Sequence, residues 1–423
     1  MIQDIMTICF FEDEGDRLFA PLTLTRPVDD LRIGVFTIRE KWQRYLKIKQ
    51  TARVVREPLS YLFKNELTGS DGGKTSRNLK NKGLVIWINA RWLPDFEAAE
   101  AVRKLSENEY LLRNGKIVAV RMGQDESREF YQKQIPSFSP DDLSGEMQAA
   151  ETGAGAMLDY LWDLFLKNDS EIRNDVALLQ SLKALQAPEW PGVVLSHSEN
   201  IYAEPGTRVD PGAIIDASEG PVYLGPESHV MSGAVIQGPS ALCEQSVLKM
   251  GTRVYSGTTI GPVCKVGGEV QNVIMHSHSN KAHDGYLGNS LIGEWCNLGA
   301  FTTTSNLKNN YKPIKIPEWS TGHVYKSSLQ FFGTVMGDHG KTAINTTLSA
   351  GTLCGVFCNL FTYGFPPKHV PSFSWVSPHN TEPYQFEKAM ETAEIMMSRR
   401  NVPLSRDYLM MMKYIYDHRD GLR

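Results

Sequence analysis

Segment 271–306 concentrates side chains that can move protons or hold a polar substrate. The ones that matter for chemistry are its three histidines, its lysine, its tyrosine and two of its asparagines, namely His276, His278, His283, Lys281, Tyr286, Asn297 and Asn306. Histidine titrates near neutral pH, so a histidine here can take a proton from an attacking nucleophile. The segment also interrupts a regular repeat, and function tends to lie at such interruptions. We therefore expect a catalytic site within 271–306.

An aliphatic residue returns every six residues just before this segment. The row is Leu224, Val230, Ile236, Leu242, Leu248, Val254, Ile260 and Val266. A period of six fits neither a helix nor an alternating strand, and it is typical of a hexapeptide β-helix. With three hexapeptides per turn, residues 18 apart stack, so Leu242 should lie between Leu224 and Ile260. The small residues four positions after each aliphatic residue should occupy crowded corners.

The repeat is predicted to extend beyond this row with two interruptions. It loosens at 271–281, breaks again for a loop at about 308–325, and is expected to return at Ile344, Ala350 and Val356. After residue 364, two amphipathic helices at about 383–399 and 404–416 could cap the open end of the coil, whose last strands would otherwise be exposed edges.

The chain before residue 193 has a different pattern, in which strands and helices alternate, as is typical of an α/β domain. We expect strands at 5–11 and 84–88, helices at 37–46 and 96–105, and a hairpin at 109–120. The predicted domains are an α/β domain at 1–192, a β-helix at 193–364 and a helical extension at 365–423.

Composition excludes several classes of protein. A net charge of -4 over 423 residues gives no basic footprint for non-specific nucleic-acid binding. No apolar run approaches the roughly 18 to 20 residues that span a bilayer, and the first residues lack the basic start of a signal peptide. We expect a cytoplasmic protein without a nucleic-acid or membrane partner. The six scattered cysteines are expected to be buried free thiols.

Two stretches of the interrupted segment carry a family resemblance. Residues 281–288 read K-A-H-D-G-Y-L-G, residues 292–300 read I-G-E-W-C-N-L-G-A, and Asn306 follows. The spacing of the histidine, tyrosine and two asparagines resembles the acetyltransferase half of the bifunctional bacterial enzyme that makes UDP-N-acetylglucosamine. That family folds as a left-handed β-helix and assembles as a homotrimer with its catalytic cleft between neighbours.

The resemblance implies acyl transfer from acetyl-CoA to an amino-sugar phosphate such as glucosamine 1-phosphate. His283 would be the base, and Asn306 would orient its ring. Backbone amides at Ala300 would meet the acyl-CoA. The expected substrate-binding residues are Lys281, Tyr286, Asn297, Arg253 and Tyr255.

The positions that bind the sugar phosphate in that family differ in this chain. An Arg-Pro-Gly-Ala corner is replaced by Y-S-G-T at 255–258, and a Glu-x-Lys-Lys segment by E-V-Q-N at 269–272. Arg253, Lys281 or Lys308 could supply the missing positive charge.

The N-terminal segment resembles sugar-phosphate nucleotidyltransferases, whose glycine loop cradles a triphosphate. Residues 15–18 (G-D-R-L), 21–23 (P-L-T) and Pro27 match in order. The resemblance implies nucleotide binding, with UTP or dTTP as candidates and Mg²⁺ as a possible cofactor. The metal-binding Gly-Asp of that family is replaced by A-R at 90–91. The expected nucleotide-binding residues are Arg17, Thr23, Arg26 and Asn89.

The whole layout is similar to a family of bifunctional nucleotidyltransferase/acetyltransferases described as glucose-1-phosphate thymidylyltransferase-like. Two other functions stay open. His278 and His283 have the H-x4-H spacing of hexapeptide-repeat carbonic anhydrases, which bind zinc with a third histidine, here His276 or His229. A non-catalytic trimeric scaffold that senses sugar nucleotides is the other alternative.

Overall fold

The computed structural model describes residues 7–63, 85–123, 126–127, 130, 143, 147–182 and 190–421. The chain divides into two compact units. The N-terminal unit comprises Met1–Phe19, Thr25–Leu31 and Phe36–Asp159. The β-helix unit comprises Ala20–Leu24, Arg32–Val35 and Tyr160–Arg423.

The N-terminal unit is built on a six-stranded mixed sheet. Its strands, in spatial order, are Thr51–Arg53, Thr7–Phe11, Val85–Asn89, Lys116–Met122, Glu109–Arg113 and Gln148–Glu151. The first three are parallel, and Lys116–Met122 runs antiparallel to both of its neighbours. A smaller antiparallel pair joins Trp92–Leu93 to Ala156–Met157. The central strand Val85–Asn89 ends at Asn89, and Arg91 follows it two residues later.

The helices of this unit begin at side-chain caps that the sequence supplies. Helix α1 (Ile38–Leu46) starts at a Thr37 capping box with Glu40, α2 is the short Ser60–Phe63, and α3 (Phe96–Lys104) starts at Asp95. The remaining short elements near the start of the chain are Glu14–Phe19, Leu22–Leu24, Val28–Asp30, Arg32–Ile33 and Phe36–Thr37. The predicted helices and hairpin of this region are confirmed with small shifts at their ends, and so are the predicted strands within the described residues, since 5–6 and 84 lie outside them.

The β-helix unit is a parallel coil with three faces, called A, B and C here in chain order. Face A holds Val194–Ser196, Ile214–Asp216, Val235–Gln237, Arg253–Val254 and the first halves of Glu269–Ser277 and Tyr286–Glu294, with Thr303–Thr304 and Thr347–Leu348 continuing it. Face B holds Ile201–Ala203, Val222–Leu224, Ser240–Leu242, Thr258–Ile260, the second halves of the same two long strands, Thr334–Met336, Thr352–Cys354 and His369–Val370. Face C holds Arg208–Val209, His229–Val230, Val247–Leu248, Lys265–Val266, Asn280–Lys281, Asn297–Leu298, Lys341–Thr342, Asn359–Leu360 and Ser374–Val376.

The predicted stacking of one hexapeptide turn on the next is confirmed. Leu224 pairs with Leu242, which pairs with Ile260, and all three are fully buried. The earlier turn is longer, because Ile215 pairs with Ile236. The next turns are shorter, because Ile260 pairs with Met275 and Met275 pairs with Ile292. The loosened period at 271–281 is therefore a tightened coil, not a break in the β-helix.

The predicted return of the repeat at Ile344 is wrong. Ile344 is 67% exposed, whereas Thr342, Leu348, Cys354 and Leu360 form the inward row. Ala350 and Val356 are buried at 4% and 0%, but they lie outside the inward row. The long step from Leu291 to Val335 contains an inserted loop with the hairpin Lys315–Pro317 and Val324–Lys326, and its length hides the true register.

Three helices accompany the coil. Helix α4 (Asp163–Leu182) packs beside the long strand Glu269–Ser277. Helices α5 (Phe386–Ser398) and α6 (Arg406–Asp417) lie near the predicted bounds, and the antiparallel strand Thr381–Pro383 covers the edge of Ser374–Val376. A short helical turn at Ser198–Asn200 lies near the start of the coil.

All six cysteines are buried free thiols, as predicted. None of the helices in the described ranges has the length and apolar character needed to cross a membrane.

Candidate functional site

A cleft of about 340 Å³ lies where the chain passes from face A to face B, at the edge called the A–B corner here. The corner itself supplies Ser256, Gly257, Gln271, Asn272, Asn289 and Asn306, while α4 and the inserted loop supply Phe165, Leu166, Asp169 and Phe331. This volume falls within the range of about 300 to 1,000 Å³ that is usual for small-molecule sites. The cleft is therefore formed by the corner of the tightened coil, by helix α4 and by the inserted loop.

Three asparagines stack along this corner, one from each successive turn, and we call Asn272, Asn289 and Asn306 the amide ladder. The Asn306 amide nitrogen donates to Asn289 Oδ1 at 2.7 Å. In the orientation that satisfies both ends of its amide, Asn272 accepts from the Asn289 amide nitrogen at 3.0 Å and donates to the Phe165 carbonyl at 2.7 Å. Each amide is thereby fixed by the next, from the inserted loop to helix α4.

The left-handed backbone of two ladder positions explains the residue type. Asn272 and Asn289 have φ of 52° and 46°. Asparagine tolerates this region better than other residues that have a side chain. The ladder is thus both a structural device of a tight corner and a row of polar groups facing a cleft.

Tyr286 joins the ladder from face A. Its hydroxyl accepts from the Asn306 amide nitrogen at 2.9 Å and donates to Gln271 Oε1 at 3.0 Å. The ring lies back over Gly288, where an added Cβ would be 2.2 Å from the hydroxyl oxygen. Burial raises the pKa of Tyr286, and the nearby Glu269 carboxylate raises it further. Tyr286 therefore stays a neutral hydrogen-bonding group at physiological pH.

The cleft keeps unused hydrogen-bonding capacity. Over the described ranges, Asn306 Oδ1 and Gln271 Nε2 have no hydrogen-bond partner in the chain. One is an acceptor and the other a double donor, and both belong to cleft-lining residues. A polar ligand can bind here without breaking a protein hydrogen bond.

His283 lies at the other edge of face A, at the corner between faces C and A, and its side chain is exposed. The structure does not place Asn306 against it, because the Asn306 amide nitrogen is bonded to Tyr286 and Asn289. Ala300 does lie beside His283, one coil further on. Asn280 pairs with Asn297, and Phe301 N donates to the Asp284 carbonyl at 2.8 Å, so successive turns are neighbours at this corner.

Asn297 and Lys281 lie on face C. Asn297 is exposed, on the strand that precedes Ala300. Lys281 points inward instead, at the aliphatic register position of Val266, and is 1% exposed. Its ammonium donates to the Gly267 carbonyl at 3.0 Å and to the His283 carbonyl at 2.8 Å. Burial lowers the pKa of Lys281 to about 8.

Lys281 therefore does not reach a substrate on the surface of the coil. The sequence predicts that this side chain contacts the sugar, whereas in the structure it is buried inside the coil. Its contact with the His283 carbonyl ties it to the corner that carries the predicted base. Arg253 lies on face A and pairs with Glu269 at 3.3 Å, and Tyr255, which follows the end of the same strand, is 37% exposed. Lys308 donates to the Pro313 carbonyl within the inserted loop.

The N-terminal unit has a separate group of charged residues at the end of strand Val85–Asn89. The guanidinium of Arg91 binds both carboxylate oxygens of Asp13, with Nε–Oδ1 at 2.6 Å and Nη2–Oδ2 at 2.5 Å. It also donates to the Leu158 carbonyl at 2.7 Å and lies 3.4 Å from Asp159. Arg91 is 3% exposed. A Cβ on Gly15 would lie 2.5 Å from its guanidinium carbon, so the loop lies directly over this pair.

Asn89 completes the arrangement, donating to Asp13 Oδ2 at 3.0 Å and accepting from Arg91 N at 3.0 Å. Burial alone would raise the pKa of Asp13, but the hydrogen bonds and charge of Arg91 outweigh it and lower the pKa below its ordinary value. Of the other predicted nucleotide-binding residues, Arg17 is exposed at the end of Glu14–Phe19 and Arg26 is buried. Thr23 is buried and belongs to the β-helix unit.

The residues at this strand end do not fit Mg²⁺, which needs carboxylate oxygens that can coordinate it. Both Asp13 oxygens are engaged by Arg91, and Asn89 shares one of them. The guanidinium lies where the resemblance places a metal ligand. No metal-dependent step is assigned to this unit.

The histidines of the zinc alternative have separate partners within one chain. His278 stacks on Trp295 at 4.2 Å, His276 lies 3.2 Å from Glu294, and His229 lies 2.9 Å from Asp210. Over the described ranges, no three His, Cys, Asp or Glu side chains form a group that could hold a metal ion. His278 and His283 occupy different corners of the coil.

Comparisons with known proteins agree with this layout. A family model described as sugar nucleotidyl transferase matches residues 8–183. The bifunctional protein GlmU of Methanocaldococcus jannaschii is 36% identical over 90 residues, which cover 21% of each chain. The GlmU of Bartonella quintana is 26% identical over 357 residues, covering 80% of this chain and 70% of that protein. The matches to the first relatives span about a fifth of the relatives' length.

Among solved structures, the Francisella novicida UDP-N-acetylglucosamine acyltransferase has 11% sequence identity and a TM-score of 0.32, covering 54% of this chain and 78% of that one. Residues 8–183 are therefore similar to sugar nucleotidyl transferases, and most of the chain is similar to a bifunctional GlmU protein, in line with the resemblance seen in the sequence.

Sequence reasoning missed most of the cleft. It identified Asn306 from its distance to Asn297, but not Asn272 and Asn289, which precede it at equal intervals in the sequence. That interval is visible once the turns of this part of the coil are known to be one residue shorter than three hexapeptides. The contributions of Phe165, Leu166 and Asp169 could not be found this way, because they come from a helix far earlier in the chain.

Proposed function

We propose that the β-helix unit transfers the acyl group of acetyl-CoA to the amine of an amino sugar. The observation that carries the proposal is the arrangement around face A, where His283 and Ala300 adjoin at one edge and Tyr286 is bonded to Asn306 at the other. The spacing of these residues matches the acetyltransferase resemblance, and the relatives named GlmU support it.

In this proposal the exposed His283 takes a proton from the amino group as its nitrogen attacks the thioester carbon. The new C–N bond forms, the C–S bond breaks, and the CoA thiolate leaves and takes the proton from the His283 imidazolium. A positioned base contributes roughly 100- to 10,000-fold in rate. Alignment of amine and thioester along the corner of Ala300 contributes further.

Each predicted residue has a place in this scheme. Tyr286 and Asn306 hold the sugar, and Asn297 lies on the strand leading to the acyl-CoA corner. Arg253 and Tyr255 lie at the rim on face A. Lys281 acts from inside the coil, where it holds the backbone of His283.

A homotrimer is part of the proposal. His283 and the cleft lie at opposite edges of face A in a single chain, so a site that uses both is completed most simply by a neighbouring copy. The N-terminal unit is proposed to be a divergent sugar nucleotidyl transferase domain, with UTP or dTTP as candidate ligands and without a metal-dependent step.

The test is acetyl-CoA consumption with a panel of amino sugars, free and phosphorylated, using the full chain. Wild type should turn over at least one acceptor, and His283→Ala should lose roughly 100-fold or more in kcat. The matched control is His379→Ala, since His379 is an exposed histidine at a distant hairpin. Absence of turnover with every amino sugar, or full activity of His283→Ala, would contradict the proposal.

A further inference from the structure

We propose that the cleft at the A–B corner binds a neutral sugar ring and discriminates against a phosphate. The acceptor of the proposed acyl transfer would then be an amino sugar that carries no phosphate in this cleft. The inference rests on the proposed function for the identity of the reaction, but its evidence is the chemistry of the cleft alone. It differs from the resemblance, which implies an amino-sugar phosphate as the acceptor.

Positive charge is absent from the cleft wall. Among the described residues that line it there is no lysine, arginine or histidine, and the single ionisable group is the carboxylate of Asp169. Phosphate groups in proteins are bound by arginine, lysine or clustered backbone N–H groups. A dianion placed here would face the Asp169 carboxylate, which is paired with Arg173, a residue that does not line the cleft.

Four basic residues close in sequence or fold to cleft residues have partners in the chain. Lys308 donates to the Pro313 carbonyl at 3.2 Å. Arg173 pairs with Asp169 at 2.9 Å and donates to the Glu219 carbonyl at 2.6 Å. Arg253 pairs with Glu269, and Lys281 is directed into the coil. Recruiting any of them to a phosphate would break an existing contact.

The cleft does provide what a sugar ring requires. Hydroxyl groups both donate and accept, and Asn306 Oδ1 and Gln271 Nε2 offer one acceptor and one donor group without partners in the described ranges. Phe331 and Leu166 are 47% and 49% exposed, and they present apolar surface to the same space. Amides beside exposed apolar side chains suit the alternating polar and apolar surface of a pyranose.

The ladder makes this recognition specific. Because each ladder amide nitrogen donates to the next group along the corner, the amides cannot turn to present N–H groups to an anion without losing those bonds. The neutral donor group that remains free in the described ranges, Gln271 Nε2, compensates a buried dianion poorly, and burying an anion without charged donors is costly. The cleft is therefore pre-arranged for neutral hydrogen-bonding groups.

The experiment measures binding directly, by isothermal titration of the full chain with N-acetylglucosamine and with N-acetylglucosamine 1-phosphate. Wild type should bind the neutral sugar at least tenfold more tightly. Asn289→Ala should lose tenfold or more in affinity for the neutral sugar, while Asn309→Ala, an exposed asparagine on the inserted loop, should not. Gln271→Lys should shift the preference toward the phosphate by tenfold or more.

Tighter binding of the phosphate by wild type, failure to bind either sugar, or unchanged neutral-sugar binding by Asn289→Ala would overturn the inference. Circular dichroism of Asn289→Ala and Gln271→Lys establishes that each variant is folded. If the binding pattern is as expected and acetyl-CoA is not consumed with any acceptor, the proposed function fails and this inference stands.

Discussion

The strand end at Asp13 and Arg91 and the cleft at the A–B corner differ in how their polar groups are used. At the strand end, both carboxylate oxygens of Asp13 and all three guanidinium nitrogens of Arg91 have partners in the chain. In the cleft, the amide ladder fixes its own members and leaves Asn306 Oδ1 and Gln271 Nε2 available over the described ranges. The first arrangement stabilises structure, and the second can bind a ligand.

Relative to the family that the sequence resembles, the strand end is filled by a side chain of the protein itself, and the cleft carries amides at positions where that family has cations. Arg91 supplies an internal cation where the resemblance places a metal ligand, so Asp13 needs no other. Gln271 and Asn272 are amides where the resemblance places lysines, so the cleft stays open and has no lysine or arginine among its described lining residues. Substitutions and added ligands test this contrast, and the largest effect is expected at the strand end.

Arg91→Ala should lower the free energy of unfolding by about 3 to 5 kcal/mol, because removing one partner of a buried ion pair leaves the other uncompensated. Urea unfolding followed by circular dichroism measures the change. The matched control is Arg103→Ala, whose exposed pair with Glu100 should contribute less than about 1 kcal/mol. A loss for Arg91→Ala as small as that of the control would show that the strand end is not closed by this pair.

Asn289→Ala should cost less, about 2 kcal/mol, because it leaves the Asn306 amide nitrogen with one partner fewer and removes a residue suited to positive φ. The same unfolding experiment measures it, with Asn309→Ala as the control. A loss below about 0.5 kcal/mol, the lower end for one hydrogen bond, would mean that the ladder bonds do not hold the corner.

Lys281→Met should change how stability depends on pH. The pKa of Lys281 is lowered by burial to about 8, whereas an unfolded lysine titrates near 10.4. Between these values the unfolded chain binds more protons than the folded chain, so wild type gains stability as pH rises from about 8 to 10.4. The methionine variant lacks this gain.

The unfolding midpoints of the two proteins are measured across that pH range. As the pH rises, the midpoint of wild type should therefore increase relative to that of the methionine variant. Parallel curves would show that Lys281 does not titrate inside the coil. The comparison between the two proteins cancels the contribution of Lys341, whose pKa is also lowered to about 8 by burial.

The smallest expected effect is that of a divalent metal. Adding Mn²⁺ to wild type should leave the thermal midpoint unchanged, because Arg91 already satisfies Asp13. A bound ligand at 100 times its Kd would add about 2.7 kcal/mol of stability. If Mn²⁺ raised the midpoint of wild type and not that of Asp13→Asn, the N-terminal unit would have a metal site at Asp13, contrary to this expectation.

The sequence predicts the β-helix well because its period is local. Leu224, Leu242 and Ile260 stack at the interval of three hexapeptides that one turn requires. The same reasoning fails at Ile344, because the inserted loop shifts the register by a number of residues that no local pattern reveals.

The candidate site can be predicted in part. His283, Tyr286 and Asn306 follow from motif spacing, and the structure adds that Tyr286 and Asn306 are bonded while His283 lies at another corner. The inward direction of Lys281 could not be predicted, because a lysine at an aliphatic register position contradicts the usual pattern. Its burial depends on two backbone carbonyls that only the folded corner brings together.

Hydrogen exchange measured by mass spectrometry compares the two regions most directly. The full chain is measured alone, with N-acetylglucosamine, and with UTP in the presence or absence of Mg²⁺. We expect the sugar to slow exchange in 269–291 and 303–308, and we expect Mg²⁺ to make no difference to exchange in 7–19 and 85–93. Metal-dependent protection at 85–93, or unchanged exchange across the cleft with the sugar bound, would contradict the contrast between a filled strand end and an open cleft.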